Sequence, residues 1–157
     1  MGLCGAVAIC HNTHAGTVTK LGTGTDLNAD ASWDSVAPGS ADIATWTSLS
    51  LGAGLTFEGD TSWLGISVTN ALSDIDMTGA GVLTLGSSGI DMSASARSLA
   101  LTNILSLGGD QTWLVNTGRS LTLGSVFSGS AALTVGGDGT VYVSADGEGS
   151  VLALRAN

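Results

Sequence analysis

From residue 49 onward, apolar residues alternate with small or polar ones in short bursts. The series begins Leu49-Ser-Leu51, Leu55-Thr-Phe57, Ile66-Ser-Val68 and Ile75-Asp-Met77. It continues with Val82-Leu-Thr-Leu85, Ile90-Asp-Met92, Leu99-Ala-Leu101 and Ile104-Leu-Ser-Leu107, and closes with Leu121-Thr-Leu123, Leu133-Thr-Val135, Val141-Tyr-Val143 and Leu152-Ala-Leu154. A period of two puts each apolar pair on one face of a strand and its Ser, Thr or Asp neighbours on the other. No stretch sustains a period of 3.6, so the pattern predicts strands almost throughout and few helices.

Strands this short do not make a stable hairpin sheet by themselves. Stacked in parallel as the rungs of a solenoid, about 4.8 Å apart, they bury their apolar pairs collectively. A self-comparison points the same way. Shifted by 50 residues, 48–89 falls on 98–139, matching Ser48/Ser98, Leu49/Leu99, Leu51/Leu101 and Leu55/Leu105. The matches continue at Gly59/Gly109, Asp60/Asp110, Trp63/Trp113 and Leu64/Leu114, so that Gly-Asp-x-x-Trp-Leu occurs twice. Two coils per repeat, with Leu49, Ile75, Leu99 and Leu121 as successive rungs, predict a right-handed parallel β-helix of four to five coils over 45–157. Trp63 and Trp113 are then expected at equivalent coil positions, with packing roles. The runner-up fold is an antiparallel sandwich, whose hairpin turns have candidates only at Asp138-Gly139 and Asp146-Gly147.

Composition narrows the function classes. The chain has 24 Gly among 157 residues, one Pro, 11% charged residues and a net charge of −9. The single Pro excludes collagen, and high apolar content argues against disorder. Lys20, Arg97, Arg119 and Arg155 are the only Lys and Arg residues, too few to neutralise a nucleic-acid backbone. The apolar run 3–10 is too short to span a membrane and suits the h-region of a signal peptide. Met1-Gly2 adds no cation, so 1–15 reads as a truncated or degenerate signal, 16–44 as a capping segment and 45–157 as the solenoid. Cys4-x5-Cys10-His11-x2-His14 departs from common zinc-finger spacings, and no metal or other cofactor is expected.

Carboxylates are the main chemical resource. Asp74 and Asp76 share a strand face, and Asp91 recurs in the second Ile-Asp-Met. A glycosidase needs two carboxyl groups about 5–10 Å apart, which Asp74 and Asp76 can meet. With Asp91 they are the candidate catalytic residues, but the plainer role of keeping a strand face soluble is the preferred one, and no catalytic residue is expected. Gly136-Gly-Asp138-Gly139 begins like a calcium roll but has Val141 where that motif needs Asp, and Asp74-x-Asp76 lacks the Glu of an EF-hand. No Gly-x-Ser-x-Gly nucleophile elbow with a downstream His is present. Trp33 and Trp46 are candidates for stacking on a sugar, but covering the open end of the first coil is their preferred role.

Several phrases resemble a known family. Trp33-Asp34, Pro38-Gly39 and Asp42-x-Ala44-x-Trp46 look like the start of bacterial proteins carrying autotransporter-associated β-strand repeats. Gly89-Ile-Asp-Met-Ser93, Asp110–Arg119, Leu121–Gly124, Ser128–Thr134 and Gly137–Val141 are similar to recurrent phrases of that family. The resemblance covers about 31–145 and departs from the family pattern at Ser144–Ser150. It implies a β-helical passenger, secreted or at the cell surface, of which this chain reads as a fragment or short member. The expected role is non-enzymatic, structural and adhesive. The expected partners are surface glycans or other cell-surface proteins, with self-association through exposed coil edges. A carbohydrate-active or carbohydrate-binding β-helix is the alternative.

Overall fold

A computed structural model describes residues 15–124, 127–145 and 150–155. Residues 1–14 of the signal-like segment, with both Cys and both His, and the candidate turn Asp146-Gly147 lie outside the described residues. The apolar alternation does form strands. In chain order they are β1 (Gly16–Thr19), β2 (Asp42–Trp46), β3 (Leu55–Phe57), β4 (Thr61–Val68) and β5 (Ile75–Gly79). Next come β6 (Val82–Met92), β7 (Leu99–Leu101), β8 (Ile104–Leu107), β9 (Gln111–Val115) and β10 (Ser120–Leu123). The last are β11 (Phe127–Ser128), β12 (Leu133–Gly136), β13 (Thr140–Ala145) and β14 (Ser150–Arg155). The one helical element among the described residues is a 3-10 turn, Asp30–Ser32.

The strands stack as a parallel β-solenoid with three faces. One sheet runs β3-β5-β7-β10-β13 and makes the first face. The other sheet bends around the remaining two, because β4 and β6 each turn a corner within one strand. Its second face holds Thr61–Trp63, Val82–Leu85, β8 and β11. Its third face has six rungs: β1, β2, the ends of β4 and β6, β9 and β12. The stack therefore has about six turns, against the expected four to five, because β1 and β2 already form rungs ahead of residue 45.

Inward residues meet their equivalents from coil to coil. Val18, Ala44, Ile66, Ile90, Trp113 and Val135 form one ladder. Ile75, Leu99, Leu121 and Val141 form another, and all four are essentially fully buried. Each such Leu or Ile contributes roughly 1.5–3 kcal/mol by leaving water. Ile75, Leu99 and Leu121 are thus successive rungs as expected, but Leu49 is not their predecessor. It lies in a turn and is 76% exposed. The turn is closed by Ser50, whose amide donates to the Thr47 carbonyl and whose Oγ–H donates to the Lys20 carbonyl.

The 50-residue shift does not span two coils either. Register partners such as Leu55 and Met77, Thr61 and Leu83, or Leu99 and Leu121 stand 22 residues apart. Trp63 consequently stacks over Leu85 on the second face, whereas Trp113 stacks over Ile90 on the third. They are not at equivalent coil positions. Coils stacked this closely leave no room for a side chain at some corners. Gly89 has φ +62°, and a Cβ there would run into the carbonyl oxygen of Thr112.

Short antiparallel segments cover an edge at each end. Ser32–Asp34 runs along the outer edge of β1, with the Leu21 amide donating to the Ser32 carbonyl and the Asp34 amide to the Thr19 carbonyl. At the other end β14 pairs antiparallel with β13 from Thr140↔Arg155 to Ala145↔Ser150. Covering the edges in this way blunts pairing with foreign strands.

Candidate functional surface

Asp74 and Asp76 are both exposed on the first face, and Asp91 is exposed on the third, in the other sheet. The fold therefore keeps the first two near each other and places Asp91 apart. Asp74 Oδ1 accepts the Ser98 amide of the next coil at 3.1 Å. Asp91 Oδ1 accepts both the amide and the hydroxyl of Ser93, at 2.9 and 2.6 Å. Among the described residues, no three His, Cys, Asp or Glu side chains converge as metal ligands.

The indoles face inward. Trp33 and Trp46, the candidates for stacking on a sugar, are 3% and 0% exposed, so neither presents a ring to a ligand. Trp33 instead meets Trp46 and Trp63 edge-on, with centroids 5.5 and 5.6 Å away. Phe57 joins Trp63 at 5.3 Å, and the four rings fill the first coils. Trp33 Nε1 donates to the Leu27 carbonyl and Trp46 Nε1 to the Leu51 carbonyl, both at 3.1 Å.

What the surface does offer is hydroxyls. Ser62, Thr84, Ser106 and Ser128 stand in register on the second face. Beside them, Pro38, Ser40, Asp60, Ser62, Val82 and Thr84 line an open groove of about 660 Å³. One wall is the loop before β2. It is pinned by Asp30 Oδ1, which accepts the Ala37 amide at 2.8 Å, and by Asp42 Oδ2, which accepts the Gly39 amide at 2.9 Å. A second groove of about 350 Å³ is lined by Ser87, Ser88, Asp110, Gln111, Thr112 and Thr134.

Each groove holds one of the two Gly-Asp-x-x-Trp-Leu phrases. Asp60 Oδ1 accepts the Val82 amide, and Asp110 Oδ1 the Ala132 amide, both at 2.8 Å and 22 residues onward. The repeated Asp is thus a staple between successive coils. Asp60→Ala is expected to lower stability by about 1 kcal/mol, with Asp60→Asn closer to wild type. Asp76→Ala, which removes no hydrogen bond, should stay within about 0.5 kcal/mol. Urea midpoints of the three variants check this.

The scarce cations serve the backbone too. Arg97 Nε donates to the Ala71 carbonyl at 3.1 Å and its Nη2 to the Leu72 carbonyl at 3.3 Å. Lys20 is 1% exposed, and its Nζ donates to the carbonyls of Leu21, Thr23 and Gly24 at 2.8–2.9 Å. Burial lowers its pKa from 10.5 to about 8. Between these values the unfolded chain holds a proton that the folded chain has released, so stability rises with pH across that window. The gap in urea midpoint between wild type and Lys20→Met is therefore expected to widen from pH 7 to about pH 10. Sequence reasoning missed this role. The signal was there in the alternation, since Val18 inward places Lys20 inward as well.

No protein-family model, curated protein or solved structure matches this chain. No helix among the described residues is long and apolar enough to cross a membrane.

Proposed function

We propose that the chain is a structural and adhesive β-solenoid segment of a secreted or cell-surface bacterial passenger protein. The observation that carries this reading is how the charged side chains are used. Asp60, Asp74 and Asp110 accept backbone amides of the following coil, and Arg97 donates to carbonyls of the preceding one. Such groups tie the coils together, and the second face they leave outward carries the row Ser62, Thr84, Ser106 and Ser128. A cross-tied stack with one hydroxyl-lined face suits a stalk or an adhesive face. The resemblance of 31–145 to autotransporter-associated repeats supports the passenger assignment, and the apolar run 3–10 supports export.

The test uses the purified chain on beads and in solution. Coated beads are expected to adhere to cells, and the soluble chain to release no reducing sugar or unsaturated product from polysaccharides. Polysaccharide turnover that disappears in Asp74→Ala/Asp76→Ala would replace this reading with the carbohydrate-active alternative. Beads that adhere no better than uncoated ones would remove the adhesive half.

A further inference from the structure

The repeated phrase Gly-Asp-x-x-Trp-Leu does not mark the coil period, since its two copies sit at different corners of the solenoid. Gly59-Asp60 joins the first face to the second, and Gly109-Asp110 joins the second to the third. What the copies share is local construction. In each, the Asp is exposed, the residue two positions on is an exposed hydroxyl (Ser62 or Thr112), and the Trp points into the core. In each, Asp Oδ1 is held by the amide 22 residues onward, and the second carboxylate oxygen has no hydrogen-bond partner among the described residues. Each lies in a groove beside a further hydroxyl of the next coil, Thr84 or Thr134.

We propose that these phrases build a pair of binding sites for neutral oligosaccharides, one in each groove. The proposal rests on the adhesive half of the reading above and names its ligand class. The fixed carboxylate accepts ligand hydroxyls through its free oxygen, and charge assistance makes these the strongest contacts. Ser and Thr both donate and accept, as paired sugar hydroxyls require. Pro38 and Val82 give the first groove small apolar surfaces for the C–H face of a pyranose ring. The same carboxylates, on a chain of net charge −9, disfavour acidic glycans. The hydroxyls of both sites stand on strands, each corner Asp is tied to the next coil, and the loop wall of the first site is pinned by Asp30 and Asp42, so little ordering is needed on binding.

Amide chemical-shift titration of the ¹⁵N-labelled full chain reads the two grooves separately. The probes are maltohexaose, laminarihexaose and xylohexaose, with hexagalacturonate as the acidic and hexaglucosamine as the cationic counterpart. Each runs to about 10 mM, enough to populate a site of millimolar dissociation constant. At least one neutral hexasaccharide is expected to shift amides around Ser62 and Thr84 and, independently, those around Ser88, Thr112 and Thr134. Ser62→Arg should weaken the first set at least tenfold and leave the second, and Thr112→Arg the reverse. Both positions are exposed, so each variant is checked for an unchanged spectrum elsewhere. The proposal is overturned if no neutral probe shifts either set, if either charged probe binds better than all three, or if the double variant still binds. Beads carrying the double variant separate the two levels of the account. Adhesion that survives in them removes the glycan sites alone, whereas wild-type beads that never adhere remove the reading beneath.

Discussion

Lys20→Met is expected to destabilise the chain by at least about 3 kcal/mol at neutral pH, a large share of the 5–15 kcal/mol of an ordinary domain. The ammonium sits inside the first coil and saturates three carbonyls of the Leu21–Gly24 loop, with no carboxylate among its hydrogen-bond partners. Methionine fills similar space and removes a buried charge, which alone is favourable. It also takes the ammonium donor from the Thr23 and Gly24 carbonyls, and leaves the Leu21 carbonyl only the Leu51 amide, and that is the larger effect. The loss should spread through the coil start, because Lys20 is tied through its backbone to Thr45 and Ser50 as well. Lys20→Arg is not expected to restore the wild type, since a planar guanidinium cannot point three donors at one pocket built for a tetrahedral head. Urea unfolding of the three proteins gives the comparison. A Lys20→Met midpoint equal to wild type would mean that the cradle adds nothing.

Trp63→Ala is expected to cost about 3–5 kcal/mol, and Trp63→Phe far less. Trp63 is the centre of the aromatic group, with Trp33, Trp46 and Phe57 all against it. Truncation leaves a cavity that three large neighbours cannot close, and it removes three ring–ring contacts worth about 0.5–1.5 kcal/mol each. Its indole N–H is buried without a partner, so a phenyl ring relieves one unsatisfied donor while losing volume. Trp113 differs in this respect, because its Nε1 donates to Gln111 Oε1 at 2.8 Å. Trp113→Phe strands that acceptor and should cost more than Trp63→Phe, by about 1 kcal/mol. Thermal melts of the matched pair report the difference directly. Equal losses would contradict the separate environments of the two repeated tryptophans.

The same contrast shows what the sequence discloses and what it conceals. Ile75-Asp-Met77, Leu99-Ala-Leu101 and Leu121-Thr-Leu123 announce their strands and their stacking because a period of two is a local property. Their register follows from keeping each apolar pair inside. Leu49-Ser-Leu51 carries the same local signal but forms no strand, since Ser50 is claimed by the Lys20 carbonyl 30 residues earlier. No local pattern records such a partner. The 50-residue self-similarity is real as a sequence but misleading as a pair of coils, because it copies a corner with its groove. For the same reason alternation singles out Asp74, Asp76 and Asp91 but not Asp60 and Asp110. Alternation identifies carboxylates on strand faces, and the grooves lie at corners.

The parallel stack itself is tested most directly by a distance ruler along one face. Thr17, Ile43, Gly65, Gly89, Thr112 and Thr134 lie on successive rungs of the third face, and Thr17, Thr112 and Thr134 are exposed. With Cys4 and Cys10 replaced by Ser, spin labels at positions 17 and 134 span five rung spacings, about 24 Å between backbones. Labels at 17 and 112 span four. Double electron–electron resonance should give two narrow distributions, the second shorter by about 5 Å. Distributions that are broad, or that fail to shorten by one rung, would contradict the solenoid and everything placed on its faces.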